Sequence, residues 1–185
     1  MPLAVNGVVA IVYTTSPAVG VAVLTTLAAL LVMAGEAALS SHNAGVLLSR
    51  GAVEPADDVY QLMQWGYPLG FVLMGLEGAL TGPAPPAALA AGLVLFGAAK
   101  ALKAWAISSL GVRWTFRVLV PPGAPLVTSG PYRLLHHPNY VAVCGELLGV
   151  ALTVWAPIMG AIALGGFGWL LRQRIAVENR ELGRR

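Results

Sequence analysis

The sequence predicts an all-α integral membrane bundle of about five transmembrane helices, closed by a C-terminal helical hairpin. Three observations carry that prediction. Charged residues make up only 10% of the 185, against 57% hydrophobic ones, and mean hydropathy is +0.76. A soluble domain is typically about 25% charged, so a chain this poor in charge suits lipid better than water. Apolar stretches of spanning length recur along the chain, and the basic residues between them sort to one side. The whole of 1–185 reads as a single domain, with N-terminal helices over 1–110 and a C-terminal unit over 111–185.

A span needs about 20 apolar residues to cross a core of about 30 Å. The first runs from about Pro17 to Leu39. The second, from about Tyr60 to Leu80, opens on YQLMQWGYPLG, where Tyr60, Trp65 and Tyr67 suit an interfacial belt. The third follows TGPAPP and runs from about Ala87 to Leu110. A polar segment, Gly111 to His137, comes next. Apolar sequence then resumes from Pro138 to Leu171, about 34 residues. As one helix it would be about 50 Å long at 1.5 Å per residue, too long for the bilayer. Pro157 lies near its middle and disfavours helix at the residue before it, so a hairpin turning near WAPIMG is expected. No internal repeat is visible.

The charges orient these spans. The 111–137 segment carries Arg113, Arg117 and Arg133 and no acid. The tail after Leu171 carries Arg172, Arg174, Arg180, Arg184 and Arg185 against Glu178 and Glu181. A hairpin puts the two on one side, and the positive-inside rule makes that side cytoplasmic. Lys100 and Lys103 are expected to snorkel towards it. The uncharged TGPAPP loop falls opposite, with the N-terminus, while the 40–58 loop (Arg50, Glu54, Asp57, Asp58) shares the cytoplasmic side. Residues 1–20 lack a basic n-region, so no cleavable leader is expected. Net charge +3 and pI near 9.4 rest on few basic residues, which excludes a nucleic-acid surface. The single Cys144 excludes an intramolecular disulfide and any CxxC motif; it reads as a small buried hydrophobe.

Two polar clusters meet at this mouth. SGPYRLLHHPNY, 129–140, holds two of the three histidines. Adjacent histidines point to different helix faces and no third ligand stands at a suitable spacing, so no metal is expected. A helix start at Pro138, capped by Asn139 or the preceding turn, would leave backbone N–H groups facing the mouth, where carboxylates and phosphates bind. LLRQRIAVENREL, 170–182, reads as a helix leaving the last span, with Arg174 and Glu178 one turn apart. An exposed helix end with ordinary i,i+4 pairing is the plainer account of it. Glu36, Glu77 and Glu146 fall inside spans, where charge marks function or buried pairing. Glu146, about two turns beyond Tyr140, is expected to line a cavity; Glu36 and Glu77 are assigned to span ends or helix–helix hydrogen bonds. Trp105, Trp114, Trp155 and Trp169 are read as interfacial or packing residues, and GGFG at 165–168 as a helix-packing feature.

PLVTSGPYRLLHHPNY, then a hydrophobic hairpin and RIAVENREL, resembles the isoprenylcysteine carboxyl methyltransferase family, closest to its shorter bacterial members. The likeness extends through AWAISSLGVRWTFRVLVPPGA and more faintly through SSHNAGVLLSRGAVEP and WGYPL. It implies an integral membrane enzyme that uses S-adenosylmethionine, with a cytoplasmic cofactor pocket built from the connecting segment and the last two helices. Carried over by position, Pro125, Leu126 and Val127 would line the cofactor through their backbone. Tyr132, His137, Pro138, Asn139 and Tyr140 would hold its methionine and ribose parts, and Glu178 its amino group or ribose. Arg174 would face the substrate; Glu146, from its own place in the fourth span, is expected beside it, and Arg174, Glu178 and His137 are taken as catalytic. Two departures stand out. His136 occupies the usual arginine position before His-Pro, and the acidic run is reduced to Glu178, Asn179 and Glu181, so either glutamate could do the work.

The residues fit a zwitterionic sulfonium cofactor, which needs a carboxylate or aromatic partner for its cations and donors for its carboxylate. No strand–GxG–helix context offers the soluble alternative. The expected reaction is O-methylation of a lipophilic small molecule or prenylated cysteine arriving through membrane lipid. A carboxylate acceptor needs no base; a hydroxyl might draw on His137 or Glu178. The Ala/Gly/Leu/Arg-heavy composition points to a bacterial inner membrane, where a phenolic or pyrone polyketide lipid is the alternative acceptor. A phospholipid N-methyltransferase and a sterol-type reductase share the pattern, but the reductase needs basic residues for a 2′-phosphate that are scarce here. A scaffold or small transporter is the non-enzyme alternative; a transporter should carry paired repeats and broken helices, which are absent.

Overall fold

The structure is a computed structural model that describes residues 17–55, 58–123 and 125–181. The outward N-terminus, Asp57, Arg184 and Arg185 lie outside the described residues. Five helices follow in order: α1 Pro17–Ser49, α2 Tyr60–Thr81, α3 Pro86–Leu110, α4 Pro138–Val154 and α5 Pro157–Glu181. No strand forms among the described residues; Val53 and Val120 make one isolated antiparallel bridge. Among the described residues two helices are long and apolar enough to cross a membrane: α1, and α3 with its 3₁₀ extension to Arg113. Outward-facing apolar side chains such as Leu31 (72% exposed) and Leu80 (87%) make a surface unsuited to water.

Local chemistry sets the boundaries. Prolines open α3, α4 and α5 at the first helical position, where a missing N–H costs nothing. α1 runs about ten residues past its expected end at Leu39, because SSHNAGVLLS holds no strong breaker. It stops where Gly51 turns left-handed (φ 81°) and the 50–52 amides return to the Leu47 and Leu48 carbonyls. The hairpin turns at Trp155, also left-handed (φ 56°), immediately before Pro157. The Glu77 carboxylate accepts from the Ile158 N–H (3.0 Å) and the Met159 N–H (2.7 Å), capping α5 from α2.

α4 is the hub and touches all four other helices. Its contact with α3 is backbone-close. A Cβ on Gly149 would lie 2.7 Å from the Phe96 nitrogen, and one on Gly92 would lie 2.6 Å from the Thr153 nitrogen. Such small-residue seams let membrane helices gain van der Waals contact. The expected packing role of GGFG does not hold: a Cβ on Gly165, Gly166 or Gly168 would meet nothing within 4 Å.

The lysines do not snorkel. Lys100 and Lys103 turn inward and bridge Glu36 of α1 to Glu146 of α4. Lys100 Nζ lies 2.9 Å from Glu36 and 2.7 Å from Glu146; Lys103 Nζ lies 3.1 Å and 2.7 Å from the same two. The contacts to Glu146 are ion pairs, and Tyr67 Oη supplies its aligned hydrogen bond at 2.7 Å. Two acids reaching across helices satisfy two ammonium groups locally, so neither lysine needs the interface.

Candidate functional site

The segment between α3 and α4 has little secondary structure of its own and is fastened by the N-terminal half. Asn43 Nδ2 donates to the Trp114 carbonyl (2.8 Å), and Ser40 Oγ accepts from the Phe116 N–H (2.7 Å). Val53 and Val120 exchange backbone hydrogen bonds (3.2 and 3.0 Å). Arg117 pairs with Glu54, with Nε 2.7 Å from one oxygen. That bond holds the Glu54 carboxyl below its ordinary range, against the opposing effect of burial, and raises the Arg117 guanidinium. Asp58 accepts from the Val118 N–H at 3.1 Å. Within the segment, Arg113 donates to the Pro125 carbonyl (2.6 Å). Gly130 (φ 60°) sits so close to α3 that a Cβ would lie 2.0 Å from Ser109 Oγ.

So held, the segment roofs a cavity of about 380 Å³. Pro125, Leu126, Val127 and Tyr132 line it from the segment, and His136, His137, Pro138, Asn139 and Tyr140 from the start of α4. Arg174 and Glu178 line it from α5. A side chain from each of the five helices continues the wall inward: Met33, Met63, Lys103, Val143 and Phe167. The two motifs seen in the sequence therefore share one chamber, whose wall combines their polar side chains with apolar ones from all five helices.

A chain of polar groups runs along the chamber wall. Arg174 Nε donates to Tyr140 Oη (2.9 Å), and Tyr140 Oη donates in turn to Glu178 Oε1. The other Glu178 oxygen lies 3.2 Å from His137 Nδ1, and His137 Nε2 lies 3.2 Å from Asn179. The His137 and Tyr140 rings stack at 5.5 Å. His137, not Asn139, holds the N-cap position of α4, and its side chain makes no capping bond. The Asn139 side chain accepts from Trp114 Nε1 (3.3 Å) instead. The Tyr140 and Val141 amides both return to the His137 carbonyl. Pro138 has no N–H, so the helix offers the mouth a single amide, that of Asn139, fewer than the sequence led one to expect.

Other assignments shift. Glu146 is fully buried in its lysine cluster and stands behind the cavity wall rather than in it; Lys103 and Tyr67 are the cluster members that line the chamber. Its pairing with two ammonium groups explains the retreat. Glu181 pairs with Arg180 (3.0 Å) outside the lining, while Glu178 faces in. Trp114 is 2% exposed and packs under the roof; Trp105 and Trp169 are 47% and 62% exposed, as a lipid or interfacial role requires. Sequence reasoning missed Asn43, Ser40 and Asp58. The usable signal was SSHN and VEPADD, short polar runs on the same predicted side as the mouth. Among the described residues no cluster of metal-ligating side chains forms.

A family model described as the isoprenylcysteine carboxyl methyltransferase (ICMT) family matches residues 90–184. The chain is similar to "Uncharacterized protein YpbQ" of Bacillus subtilis (strain 168), 29% identical over 149 residues, covering 80% of this chain and 89% of that protein. No solved structure matches.

Proposed function

The chain belongs to the isoprenylcysteine carboxyl methyltransferase family and is a membrane methyltransferase of that type; from this premise we propose that it moves a methyl group from S-adenosylmethionine to an oxygen of a lipophilic acceptor. The observation that carries the proposal is the single chamber that both polar motifs line together with apolar side chains such as Met33, Val143 and Phe167. All five helices cross the bilayer in this reading, and the basic mouth faces the cytoplasm of a bacterial inner membrane.

The donor set suits the cofactor. Glu178 offers a carboxylate for its ammonium or ribose, Tyr132 and Tyr140 offer aromatic faces to its sulfonium, and the Asn139 amide offers a donor for its carboxylate. Pro125, Leu126 and Val127 contribute backbone along the roof, with His137 and Pro138 closing the side. When bound, S-adenosylmethionine supplies an electrophilic methyl carbon. The protein's part is to hold the acceptor oxygen in line and to exclude water. Arg174 lines the chamber beside Tyr140 and is the group to fix or polarise that oxygen. The apolar gallery among Met33, Met63, Val143 and Phe167 receives the acceptor's chain.

Two acceptor classes remain in play, a prenylated cysteine carboxylate and a hydroxyl on a phenolic or pyrone lipid. The Glu178–His137 pair favours the second as a specific reading, because a hydroxyl must lose a proton and both groups line the chamber within reach of one another. The test is transfer of labelled methyl from S-adenosylmethionine by detergent-purified protein to N-acetyl-S-farnesylcysteine and to a long-chain alkylphenol. Transfer to either supports an O-methyltransferase; transfer only to phosphatidylethanolamine would replace it with an N-methyltransferase. The His137→Ala variant should lose alkylphenol transfer at least about tenfold more than farnesylcysteine transfer, within the usual contribution of a general base.

A further inference from the structure

Arg174 is 3% exposed and heavily committed. A guanidinium has five N–H donors. Nε donates to Tyr140 of α4, one terminal nitrogen to the Phe116 carbonyl of the roof, and the other lies 3.7 Å from Met63 Sδ of α2. Two carboxylates face it: Glu178 of its own helix, at 3.8 Å, and Asp58 of the α1–α2 linker, at 3.3 Å. The Glu178 oxygen on that side is already taken by Tyr140.

Asp58 has no assigned role, and it lies in the part of the chain outside the matched family region. Its side chain is 3% exposed, yet it is not in the chamber lining. Its Oδ2 takes the Val118 N–H, and its Oδ1 has the Arg174 charge as its partner. A buried carboxylate is stable as an anion only when paired, and a guanidinium, which keeps its charge, needs a counter-ion when buried. Docking a linker onto a backbone amide needs only a neutral acceptor; the charge is required by Arg174.

We propose that Asp58 is a positioning residue for methyl transfer, the counter-ion that fixes the Arg174 guanidinium between Tyr140 and the Phe116 carbonyl so that its remaining N–H points at the acceptor oxygen. Arg174's contact with the acceptor rests on the function proposed above. The N-terminal half thus completes the site through one carboxylate set behind the wall.

Asp58→Asn separates the two roles, since an amide oxygen can still accept from Val118 but carries no charge; Asp58→Ser serves the same purpose with a smaller acceptor. Three quantities are measured in full-length, detergent-purified protein. They are methyl transfer to N-acetyl-S-farnesylcysteine and to the alkylphenol, the Kd of S-adenosylhomocysteine, and hydrogen exchange of the Arg174 Nε–H in ¹⁵N-arginine-labelled protein, assigned by its loss in Arg174→Lys. Removing one charge from a buried pair should lower kcat/KM by at least about tenfold and speed Nε–H exchange by a similar factor, leaving cofactor Kd within about threefold. Wild-type transfer and wild-type exchange in both variants would overturn the proposal and leave Asp58 as a linker dock. If Arg174→Lys itself keeps full transfer, the acceptor role of Arg174 fails instead, and the exchange rate alone decides whether Asp58 holds the guanidinium.

Discussion

At the scale of single residues, the sequence made the mouth legible and left its fastening obscure. His137, Tyr140, Arg174 and Glu178 stood in two dense polar runs flanked by apolar sequence, so their meeting followed from a hairpin of the right length. Asn43, Ser40, Glu54 and Asp58 were harder, because each contacts backbone or a charge more than 55 positions away, and nothing local marks a long-range partner. The Glu54–Arg117 pair has a pH signature. Glu54's carboxyl is held below its ordinary value of 4.5 by the Arg117 hydrogen bond. A group with a lowered folded pKa stabilises fully above its unfolded value and loses that contribution as pH falls through the folded value. Wild type should therefore unfold at higher temperature than Glu54→Gln at pH 6, and the gap should shrink progressively as pH falls below the ordinary carboxyl value of 4.5. A gap of unchanged size at every pH would mean that the pair acts through shape rather than charge.

Among the elements, hydrophobic length and proline placement gave all five helices, and the error at the end of α1 came from treating a polar run as a stop. Polar residues continue a helix readily; α1 ends only where the backbone turns left-handed, at Gly51. Which glycines pack could not be read from sequence, since GGFG and the spaced Gly92, Gly145 and Gly149 look alike without a partner surface. Gly149→Ala should cost about 1–3 kcal/mol by overpacking against the α3 backbone. Gly166→Ala should be neutral or stabilising by up to about 1 kcal/mol, as alanine is the better helix former. Thermal unfolding in detergent compares them. The hairpin turn is a second element-level site: Glu77→Ala removes the α5 cap and should cost about 0.5–2 kcal/mol without changing cofactor affinity.

Across the whole molecule, charge balance inside the bundle does what no single element can. Glu36, Lys100, Lys103 and Glu146 join α1, α3 and α4 inside the bundle, where an unpaired charge is costly. Glu36, Glu146, Lys100 and Lys103 were visible in the sequence as separate anomalies on three helices; a third acid, Glu77, looked the same there and caps α5 instead, so sequence alone did not mark the cluster. Lys103→Met alone should destabilise by about 3–5 kcal/mol, and Lys103→Met with Glu146→Leu by less than the sum of the single changes. Glu146→Gln should lower stability while leaving cofactor Kd unchanged, which a direct substrate or cofactor contact would not. Topology has its own test: cysteines placed at Val120 and Arg184 should label from the cytoplasmic side, and one at Gly82 from the other. Opposite labelling of 120 and 184 would break the hairpin that brings the two polar runs together.

The central claim is that those runs form one cofactor chamber, and binding of S-adenosylhomocysteine to purified protein tests it most directly. Wild type is predicted to bind, and Glu178→Ala and His137→Ala, from opposite ends of the sequence motif pair, should each weaken binding at least about tenfold, as loss of a charge-assisted hydrogen bond does. Absence of binding, or affinity indifferent to both substitutions, would contradict the account.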